Sequence, residues 1–338
     1  MTSPRITALL LASATASLLP AADGPAAAVP PAPSAEEVRA LGLPDTIAPD
    51  AKVTQLASGF AFTEGATCAP NGDVYFVDQP NNKILRWDVA AGKLSTFLNP
   101  SGYSNGQYFD GKGNLIACAD EKNELWSITP DGKHTVLISP AGFEGKPLDG
   151  PNDVWVRPDG GMYVTDPFYA RKWWDPAVPR PSQSVRAVLY LDPAHKTLTR
   201  VADFTMPNGI IGTPDGRTLF VADINARQIW GFDIQKDGAL IGRRLVCNFG
   251  SDGMTLDERE NLYLSANLGR PGAPRGGPAT PGVTVVNTKT GKVIGFIPVP
   301  EQPANLCFAG RNHDTLYITA RTGFYTIPTK VKGANPAK

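Results

Sequence analysis

The stretch PNGIIGTPDGRTLFVAD, residues 207–223, contains the unit that decides the fold of this chain. A Pro-Asn-Gly turn around Asn208 is followed by a short apolar run, a Pro-Asp-Gly β-turn and a β-branched, apolar segment typical of a strand. Residues 228–233 then alternate in polarity, and a Lys-Asp-Gly turn leads into residues 239–246. This pattern predicts four short antiparallel strands joined by tight turns.

The same unit occurs five more times. The other copies are TEGATCAPNGDVYFVD from Thr63, SNGQYFDGKGNLIACAD from Ser104, PNDVWVRPDGGMYVTD from Pro151, SDGMTLDERENLYLSAN from Ser251 and ANLCFAGRNHDTLYITA from Ala304. Their leading polar residues are Glu64, Asn105, Asn152, Asn208, Asp252 and Asn305. Successive copies are separated by roughly 40–55 residues, which together with several strands per copy predicts an all-β, six-bladed β-propeller. Equivalent positions then face one another around a central axis, so the six polar residues are expected to line one binding site.

The repeats run without a break, so we predict one propeller domain over residues 51–330, with a C-terminal tail at residues 331–338. Closure of the ring is expected to use the segment from Lys52 to Ala57 as a strand of the last blade, which removes a free sheet edge. Between the N-terminus and the propeller, residues 23–50 resemble a Pro/Ala-rich linker followed by one short helix with Ser34 as its N-cap.

Residues 1–22 have the order of a secretory signal peptide. Arg5 supplies a positive charge, an apolar or small-residue stretch follows from Ile6 to Leu19, and small residues mark a cleavage site. We therefore expect export to the periplasm or the extracellular space. The alternative is a disordered Ala/Pro-rich tail.

The bulk composition excludes several classes of function. The 338 residues include 32 Lys and Arg and 32 Asp and Glu, so no basic footprint indicates nucleic acid. No apolar run reaches the roughly 18 residues that a membrane span needs. The expected partner is therefore a small molecule, while the oligomeric state stays open.

The four cysteines lie in four different repeats and form no CxxC pair. They are Cys68, Cys118, Cys247 and Cys307. Export would permit disulfides, and four cysteines allow three pairings. We favour buried free thiols for most of them, because Cys68 and Cys307 lie inside apolar runs.

Two of the leading polar residues, Glu64 and Asp252, are carboxylates that the repeats would bring close to the axis. Like charges held together repel and raise a pKa unless a cation neutralises them. Carboxylate and amide oxygens suit calcium, which takes roughly 6–8 oxygen ligands. With Asn152 and Asn208 at equivalent positions, the pattern predicts one divalent cation. Calcium is the first choice, and zinc, manganese and magnesium are alternatives.

Histidine is scarce, and none of His134, His195 and His313 stands at the polar position of a repeat. This disfavours a histidine-rich zinc or copper site and a Ser-His-Asp triad. No Gly-rich phosphate loop or dinucleotide fingerprint occurs either. Any chemistry must therefore use carboxylate, water and metal.

Two insertions interrupt the repeats, at residues 167–187 and at the Gly/Pro-rich residues 269–281. The aromatic residues of the first insertion are Phe168, Tyr169, Trp173 and Trp174. Long loops in compact domains are commonly functional. The aromatic loop is expected either to form a pocket wall, with Trp173 and Trp174 binding substrate, or to pack on itself at the surface.

The leading motifs resemble those of the SMP-30/gluconolactonase/LRE family of six-bladed propellers. The matching phrases are FTEG from Phe62, SNG from Ser104, DGPNDV from Asp149, PNGI from Pro207, SDGM from Ser251 and NLCF from Asn305. The resemblance covers about residues 52–328. The motifs are specific as an ordered set, whereas a single one is not.

The resemblance implies roles for individual residues. The cation ligands that it implies are Glu64, Asn152 and Asp252, to which related calcium-dependent phosphotriesterases add Asn208. Asn105 matches a residue that contacts substrate in sugar-lactonase members, and Asp252 matches the usual base or water activator. Tyr103 stands where animal members have Arg, which places Tyr103 among the substrate-binding candidates and weakens the case for the same sugar lactone.

The resulting hypothesis is a metal-dependent hydrolase that opens a lactone. The cation would polarise the carbonyl group, and a water oriented by Asp252 or Glu64 would attack. Asp252 is the preferred base, and direct attack by its carboxylate stays open. The alternatives are phosphotriester hydrolysis at the same cation, which Asn208 supports, and a non-enzymatic ligand-binding propeller, which the two converging carboxylates disfavour.

Overall fold

Each predicted repeat forms one four-stranded antiparallel sheet, and six such sheets make up the described part of the chain. The computed structural model describes residues 33–266 and 280–334. The predicted signal peptide at residues 1–22 and most of the insertion at residues 269–281 lie outside the described residues. The fold is the all-β, six-bladed propeller that the repeats predict.

A short helix precedes the propeller at the predicted place. Helix α1, Ala35–Leu41, begins after Ser34, whose Oγ accepts a hydrogen bond from Glu37 N. The Glu37 carboxylate accepts one from Ser34 N at 2.7 Å, which completes a capping box. Val38 is fully buried, and the helix packs on the strand Val293–Pro298.

The strands are numbered in chain order, starting with β1, Thr54–Ser58. Blade 1 comprises β2 Thr63–Cys68, β3 Val74–Asp78, β4 Lys83–Asp88 and β5 Lys93–Leu98, with a 3₁₀ turn at Gln79–Asn81. Blade 2 comprises β6 Ser104–Phe109, β7 Leu115–Ala119, β8 Glu124–Ile128 and β9 His134–Ile138. Blade 3 comprises β10 Val154–Val156, β11 Met162–Asp166, β12 Arg186–Leu191 and β13 Leu198–Phe204.

The second half of the chain follows the same order. Blade 4 comprises β14 Pro207–Gly212, β15 Thr218–Asp223, β16 Gln228–Ile234 and β17 Leu240–Cys247. Blade 5 comprises β18 Met254–Leu256, β19 Asn261–Ser265, β20 Gly282–Asn287 and β21 Val293–Pro298. Blade 6 comprises β22 Pro303–Ala309, β23 Thr315–Ala320, β24 Gly323–Pro328 and β1.

The strands become more exposed from the axis outward. The innermost strands are buried nearly throughout, whereas outermost strands such as β5 and β9 are largely exposed. The core lies between the faces of adjacent blades, where Phe76, Trp155 and Tyr263 are fully buried. Phe76 of blade 1 stacks on Phe324 of blade 6 with ring centroids 4.4 Å apart. Apolar packing between blades therefore holds the ring together.

The ring closes as predicted, by mixing the two ends of the chain. β1 pairs antiparallel with β24, so that Thr54 lies opposite Thr326 and Ser58 lies opposite Gly323. Blade 6 therefore combines three C-terminal strands with one N-terminal strand. This pairing covers the free edge that β24 would otherwise present.

The sequence predicts that Pro-Asn-Gly at residues 207–209 forms a turn before the strand. The structure shows instead that some of the leading polar residues lie within strands. Asn208 lies inside β14, and the pairing of β14 with β15 shifts register between Pro207 and Ile210. Comparable shifts occur at Glu64 in β2 and beside Asn105 in β6. An extra residue in a strand re-aims the local side chains, so these irregularities turn the polar groups towards the axis.

Residues 331–334, placed by the sequence in a C-terminal tail, pack against the propeller. Val331 is buried, and Gly333 pairs with Asp257 in an isolated β-bridge. Ala334 N donates to Leu256 O at 2.9 Å. Gly333 and Ala334 line the central cavity together with residues of the innermost strands.

All four cysteines are buried free thiols, which confirms the favoured interpretation. Within the described ranges, no helix has the length and apolar character required to cross a bilayer.

Candidate functional site

The six leading polar residues meet at the axis and are here called the axial ring. Its members are Glu64, Asn105, Asn152, Asn208, Asp252 and Asn305. Five of them are buried, whereas Asp252 keeps partial exposure. The ring therefore has an enclosed part and one carboxylate that solvent or a ligand can reach.

Glycines let the blades approach closely at this level. A Cβ at Gly65 would overlap the carbonyl oxygen of Asn105, and one at Gly209 would overlap that of Asp252. Gly106 N donates to Asn152 O at 2.7 Å, which joins blades 2 and 3 in the same way. The glycine after a ring residue thus brings the backbone of the next ring residue into contact.

Blades 3 and 6 lack this glycine, since Asp153 follows Asn152 and Leu306 follows Asn305. The Asp153 carboxylate accepts hydrogen bonds from Val154 N at 2.9 Å and from Ile210 N of blade 4 at 3.3 Å. Burial raises the pKa of Asp153 to about 7. A side chain therefore makes the contact between blades 3 and 4 that backbone makes elsewhere, and both carboxylate oxygens are engaged within the protein.

Glu64 and Asp252 form a close carboxyl pair across the ring. Burial, followed by the charge of Asp252, raises the pKa of Glu64 well above its ordinary value. Burial raises the pKa of Asp252 to about 6, while interactions with Asn208, Arg171 and Glu64 oppose this rise. Without a cation, the site therefore favours the protonated form of both carboxyl groups, and of Glu64 more strongly than of Asp252.

The amides of the ring have different tasks. Asn305 Oδ1 accepts a hydrogen bond from Leu306 N at 2.8 Å, and its side chain also interacts with the Glu64 carboxyl group. Asn208 Nδ2 donates to the Tyr169 hydroxyl at 3.0 Å and the amide interacts with Asp252. Asn305 is thus engaged as a support for Glu64, whereas the oxygen of Asn208 is left for a ligand.

The ring suits a hard divalent cation. Two carboxyl groups are desolvated side by side, and a cation would relieve the repulsion that otherwise requires a shared proton. The residues able to hold it are Glu64, Asn152, Asn208 and Asp252. The described residues contain no cluster of three or more His, Cys, Asp or Glu side chains with metal-site geometry, so amide oxygens would have to complete the ligand set.

The aromatic insertion lies against the ring instead of packing apart from it. Tyr169 reaches Asn208 through its hydroxyl group. Burial raises the pKa of this phenol to about 12, so it stays neutral, and its oxygen accepts the hydrogen bond from the Asn208 amide. The insertion therefore forms a wall of the axial site, which favours the first of the two expectations for it.

Tyr103 and Trp173 stack face to face in this wall, with ring centroids 4.5 Å apart and planes at 10°. Tyr103 adopts a left-handed backbone conformation with φ of 51° at the start of the segment that carries Asn105. Within the described residues, the Asn105 side chain makes no hydrogen bond, so its amide is free to meet a ligand. These three predicted substrate-binding residues are thus brought to one side of the site.

Trp174 differs from its neighbour in the insertion. It is only 9% exposed, and its indole N–H is donated to Asp120 O at 2.6 Å. It has little surface for a substrate, so its position suits an anchor of the wall better than the expected direct contact.

Arg171 and Asp120 complete the wall and were missed by the sequence analysis. Arg171 Nε donates to Asp120 Oδ2 at 2.8 Å, and the guanidinium lies over the rings of Tyr169 and Trp173. Burial raises the pKa of Asp120 to about 7 despite Arg171. No local sequence pattern predicts the pairing of Arg171 with Asp120. Asp153 could have been found from the sequence, because it follows Asn152 where four other repeats have glycine.

The fold and the site together define a class of protein: a β-propeller with a ligand site at its axis. In this chain the site combines paired carboxyl groups, amide oxygens and an aromatic wall. The chain belongs to the SMP-30/Gluconolactonase/LRE-like family, whose model matches residues 62–322. This confirms the resemblance drawn from the motifs.

Three relatives illustrate the similarity. A gluconolactonase of Zymomonas mobilis is 26% identical over 306 residues, covering 82% of this chain and 81% of the relative. A diisopropyl-fluorophosphatase of Loligo vulgaris is 29% identical over 241 residues, covering 64% and 74% respectively. The solved structure of a gluconolactonase of Xanthomonas campestris superposes with a TM-score of 0.73 at 25% identity, covering 84% of this chain and 91% of that one.

Proposed function

We propose that this protein is a cation-dependent hydrolase that opens lactones, in the manner of a gluconolactonase. The observation that carries the proposal is the close pair of Glu64 and Asp252 inside a ring of amides. A scaffold without ligand chemistry gains nothing from two desolvated carboxyl groups in contact, since burying them costs free energy. The gluconolactonases of Zymomonas mobilis and Xanthomonas campestris support the lactone as substrate.

The proposed cation ligands are Glu64, Asn152, Asn208 and Asp252. Because all four offer oxygen, calcium is the preferred ion, with zinc, manganese and magnesium to be compared in the test. When bound, such a cation supplies polarisation of the lactone carbonyl and neutralises the charge that develops on its oxygen.

Asp252 is the proposed general base. It is the more exposed member of the carboxyl pair, and a pKa of about 6 leaves it ionised at neutral pH. It takes a proton from the attacking water while the water oxygen bonds to the carbonyl carbon. The bond from that carbon to the ring oxygen then breaks, and the proton passes to the departing alkoxide, giving the open hydroxy acid. Glu64, enclosed and supported by Asn305, positions Asp252 and the cation.

Substrate is proposed to lie between the ring and the aromatic wall. Asn105 offers an amide to substrate hydroxyl groups, and the stacked faces of Tyr103 and Trp173 bound the space beside it. A flat ring plane against one face of a sugar-like lactone is a common mode of carbohydrate contact, since aromatic faces cover apolar C–H surface.

A panel of substrates tests the proposal. Purified protein is assayed with an aldonolactone, an aliphatic lactone and a phosphotriester, each with EDTA and after readdition of calcium, zinc, manganese or magnesium. We expect lactone opening that EDTA abolishes and one cation restores. Lactone opening that EDTA does not affect would contradict the cation requirement. Failure to open any lactone would contradict the proposed function.

Phosphotriester hydrolysis at the same site is the second candidate. The similarity to a diisopropyl-fluorophosphatase and the place of Asn208 in the ring favour it. A phosphotriester turned over faster than every lactone would make this the primary activity. Binding of ligands without turnover would instead indicate a non-enzymatic propeller.

We also propose that the protein is exported, on the basis of the signal-like order of residues 1–22. N-terminal sequencing of protein recovered from cell fractions tests this. A mature N-terminus near residue 23 outside the cytoplasm is expected, and an intact Met1 in the cytoplasm would contradict it.

A further inference from the structure

Arg171 occupies an unusual place in the wall of the site. It lies in the insertion between β11 and β12, and its side chain is only 21% exposed. Its guanidinium carbon is 5.4 Å from the centroid of the Tyr169 ring and 5.5 Å from that of Trp173. Two aromatic rings therefore fix the direction in which the guanidinium points.

The hydrogen bonds of Arg171 leave one edge of the guanidinium unused. Nε donates to Asp120 Oδ2, and Asp120 is itself held by Trp174 and Gln79. In the part of the chain that the structure describes, the two terminal nitrogens make no hydrogen bond. These two nitrogens are not among the buried polar atoms without a partner, so they face solvent and are available to a ligand that enters the site.

Other arginines with little exposure use their terminal nitrogens within the protein. In the same insertion, an Arg180 terminal nitrogen donates to Leu148 O and approaches Asp149. The Arg157 side chain is 12% exposed, and its terminal nitrogens contact Gln235 O at 3.5 Å and Asp159 at 3.2 Å. The unpaired terminal nitrogens of Arg171 therefore distinguish it from these other arginines and reflect its place in the wall of the site.

The open edge lies within reach of the reacting centre. Tyr169 links the two, because its hydroxyl contacts Asn208 of the axial ring while its face contacts Arg171. The positive charge of Arg171 is also felt at Asp252, where it opposes the rise in pKa caused by burial. A substrate with its carbonyl group at the ring can thus extend a second group to Arg171.

We propose that Arg171 is a specificity residue that binds an anionic group of the substrate, a carboxylate or a phosphate, so that the enzyme prefers acidic lactones. This rests on the proposed lactone hydrolysis. Two terminal nitrogens in one plane match two oxygens of a carboxylate or phosphate. A neutral lactone cannot form this charge-assisted contact, so an anionic lactone gains an interaction that its neutral analogue lacks.

Three matched substrates test the proposal. They are a neutral hexonolactone, the lactone of the corresponding aldaric acid, in which the terminal CH₂OH is a carboxylate, and the phosphate ester of the hexonolactone. Steady-state kinetics are measured for the wild type, Arg171→Gln and Lys172→Gln. Lys172 is exposed and adjacent, so its variant removes the same charge from the loop without touching the open edge.

The wild type is expected to prefer at least one anionic lactone, and the preferred one identifies the group. Arg171→Gln should lower kcat/KM for that lactone by about 10²-fold, mainly through KM, as for loss of a charge-assisted hydrogen-bonded pair. The neutral lactone should lose much less than the anionic one; because Arg171 also opposes the rise in the pKa of Asp252, the comparison is made at alkaline pH, where Asp252 stays ionised in both proteins. Lys172→Gln should resemble the wild type, because exposed charges contribute little.

Binding gives a readout independent of turnover. Calorimetry with the two hydrolysis products should show that the wild type binds the diacid more tightly than the monoacid, and that Arg171→Gln loses this difference. Because the variant also loses the pair with the buried Asp120, its melting temperature is measured alongside and binding is compared at a temperature where both proteins are folded. A wild-type preference for the neutral lactone, or equal losses on all three substrates, would overturn the proposal and leave lactone hydrolysis standing. Inactivity on all three lactones would instead contradict both lactone hydrolysis and the role of Arg171 in specificity.

Discussion

Glu64 and Asp252 form one carboxyl pair although they come from blades 1 and 5, and the pKa of Glu64 is raised more strongly than that of Asp252. The difference arises from their surroundings, since Glu64 is enclosed beside Asn305 while Asp252 keeps partial exposure and feels the charge of Arg171. Two chemically similar groups are thereby given different tasks, which makes their substitutions distinguishable.

Asp252→Asn tests the role of the base. The amide keeps the shape of the side chain but cannot take a proton, so kcat is expected to fall by about 10²-fold or more. The variant should stay folded but bind the cation more weakly, so lactone kinetics are measured at saturating cation. Near wild-type turnover in this variant would shift the role to Glu64, and Glu64→Gln is the corresponding experiment.

Removal of the cation should destabilise the fold. The ligands come from four blades and assemble in the folded state alone, so binding adds about 2.7 kcal/mol to the free energy of unfolding at 100 times Kd. Elemental analysis and thermal melts with EDTA, then with each added cation, measure this. Glu64→Gln is the control, because it should reduce the shift; identical melts with and without cations would contradict the site.

Asn105→Ala should weaken substrate binding without blocking the reaction. The amide makes no side-chain hydrogen bond within the described residues and is not a proposed cation ligand, so KM is expected to rise up to about tenfold at nearly constant kcat. Asn114→Ala is the matched control, since that amide bonds Asp110 at 3.0 Å at the far end of the hairpin. A fall in kcat alone would place Asn105 in the chemistry instead.

Gly209→Ala should destabilise the ring where two blades touch. The added Cβ would overlap the carbonyl oxygen of Asp252, and overpacking of this kind costs about 1–3 kcal/mol. Gly111→Ala is the control, because a Cβ there meets no atom within 4 Å. Urea unfolding of both variants gives the comparison, and equal stabilities would show that the close approach carries no energetic weight.

Asp120 predicts a pH dependence of stability. Burial raises its pKa to about 7 from an ordinary 3.8, so the folded state holds a proton that the unfolded state has lost in this range. The contribution of Asp120 to the free energy of unfolding therefore falls as pH rises from about 4 to 7 and then levels off. Asp120→Asn lacks this fall, so unfolding at pH 5 and pH 8 should show its stability relative to the wild type improving with pH. A pH-independent difference would contradict the assignment.

The sequence predicts the propeller well because the information is local and repeated. Each copy carries its own turns and strands, so six weak signals support one another, and the closure by β1 follows from the need to cover β24. The short helix was equally readable, since Ser34 and Glu37 are three residues apart and complete a capping box.

The site was predictable only where it follows the repeat. The ring residues share one offset, whereas the bulged geometry around Asn208 depends on how β14 meets its neighbours. The pairing of Arg171 with Asp120 joins residues 51 positions apart, and an insertion of irregular structure gives no register from which to infer such a contact. The wall of the site therefore depends on tertiary contacts between distant residues, whereas the axial ring follows from the sequence repeat.

The pairing of β1 with β24 also bears on how the protein is made. β1 leaves the ribosome before all other strands of the propeller, and its partner, residues 323–328, leaves last. Until then blade 6 is incomplete and Asn305 has no closed ring in which to support Glu64. A chain that ends before residue 323 would leave β1 without its partner and blade 6 open at its outer side, so the ring can be completed only when synthesis has passed its final strand.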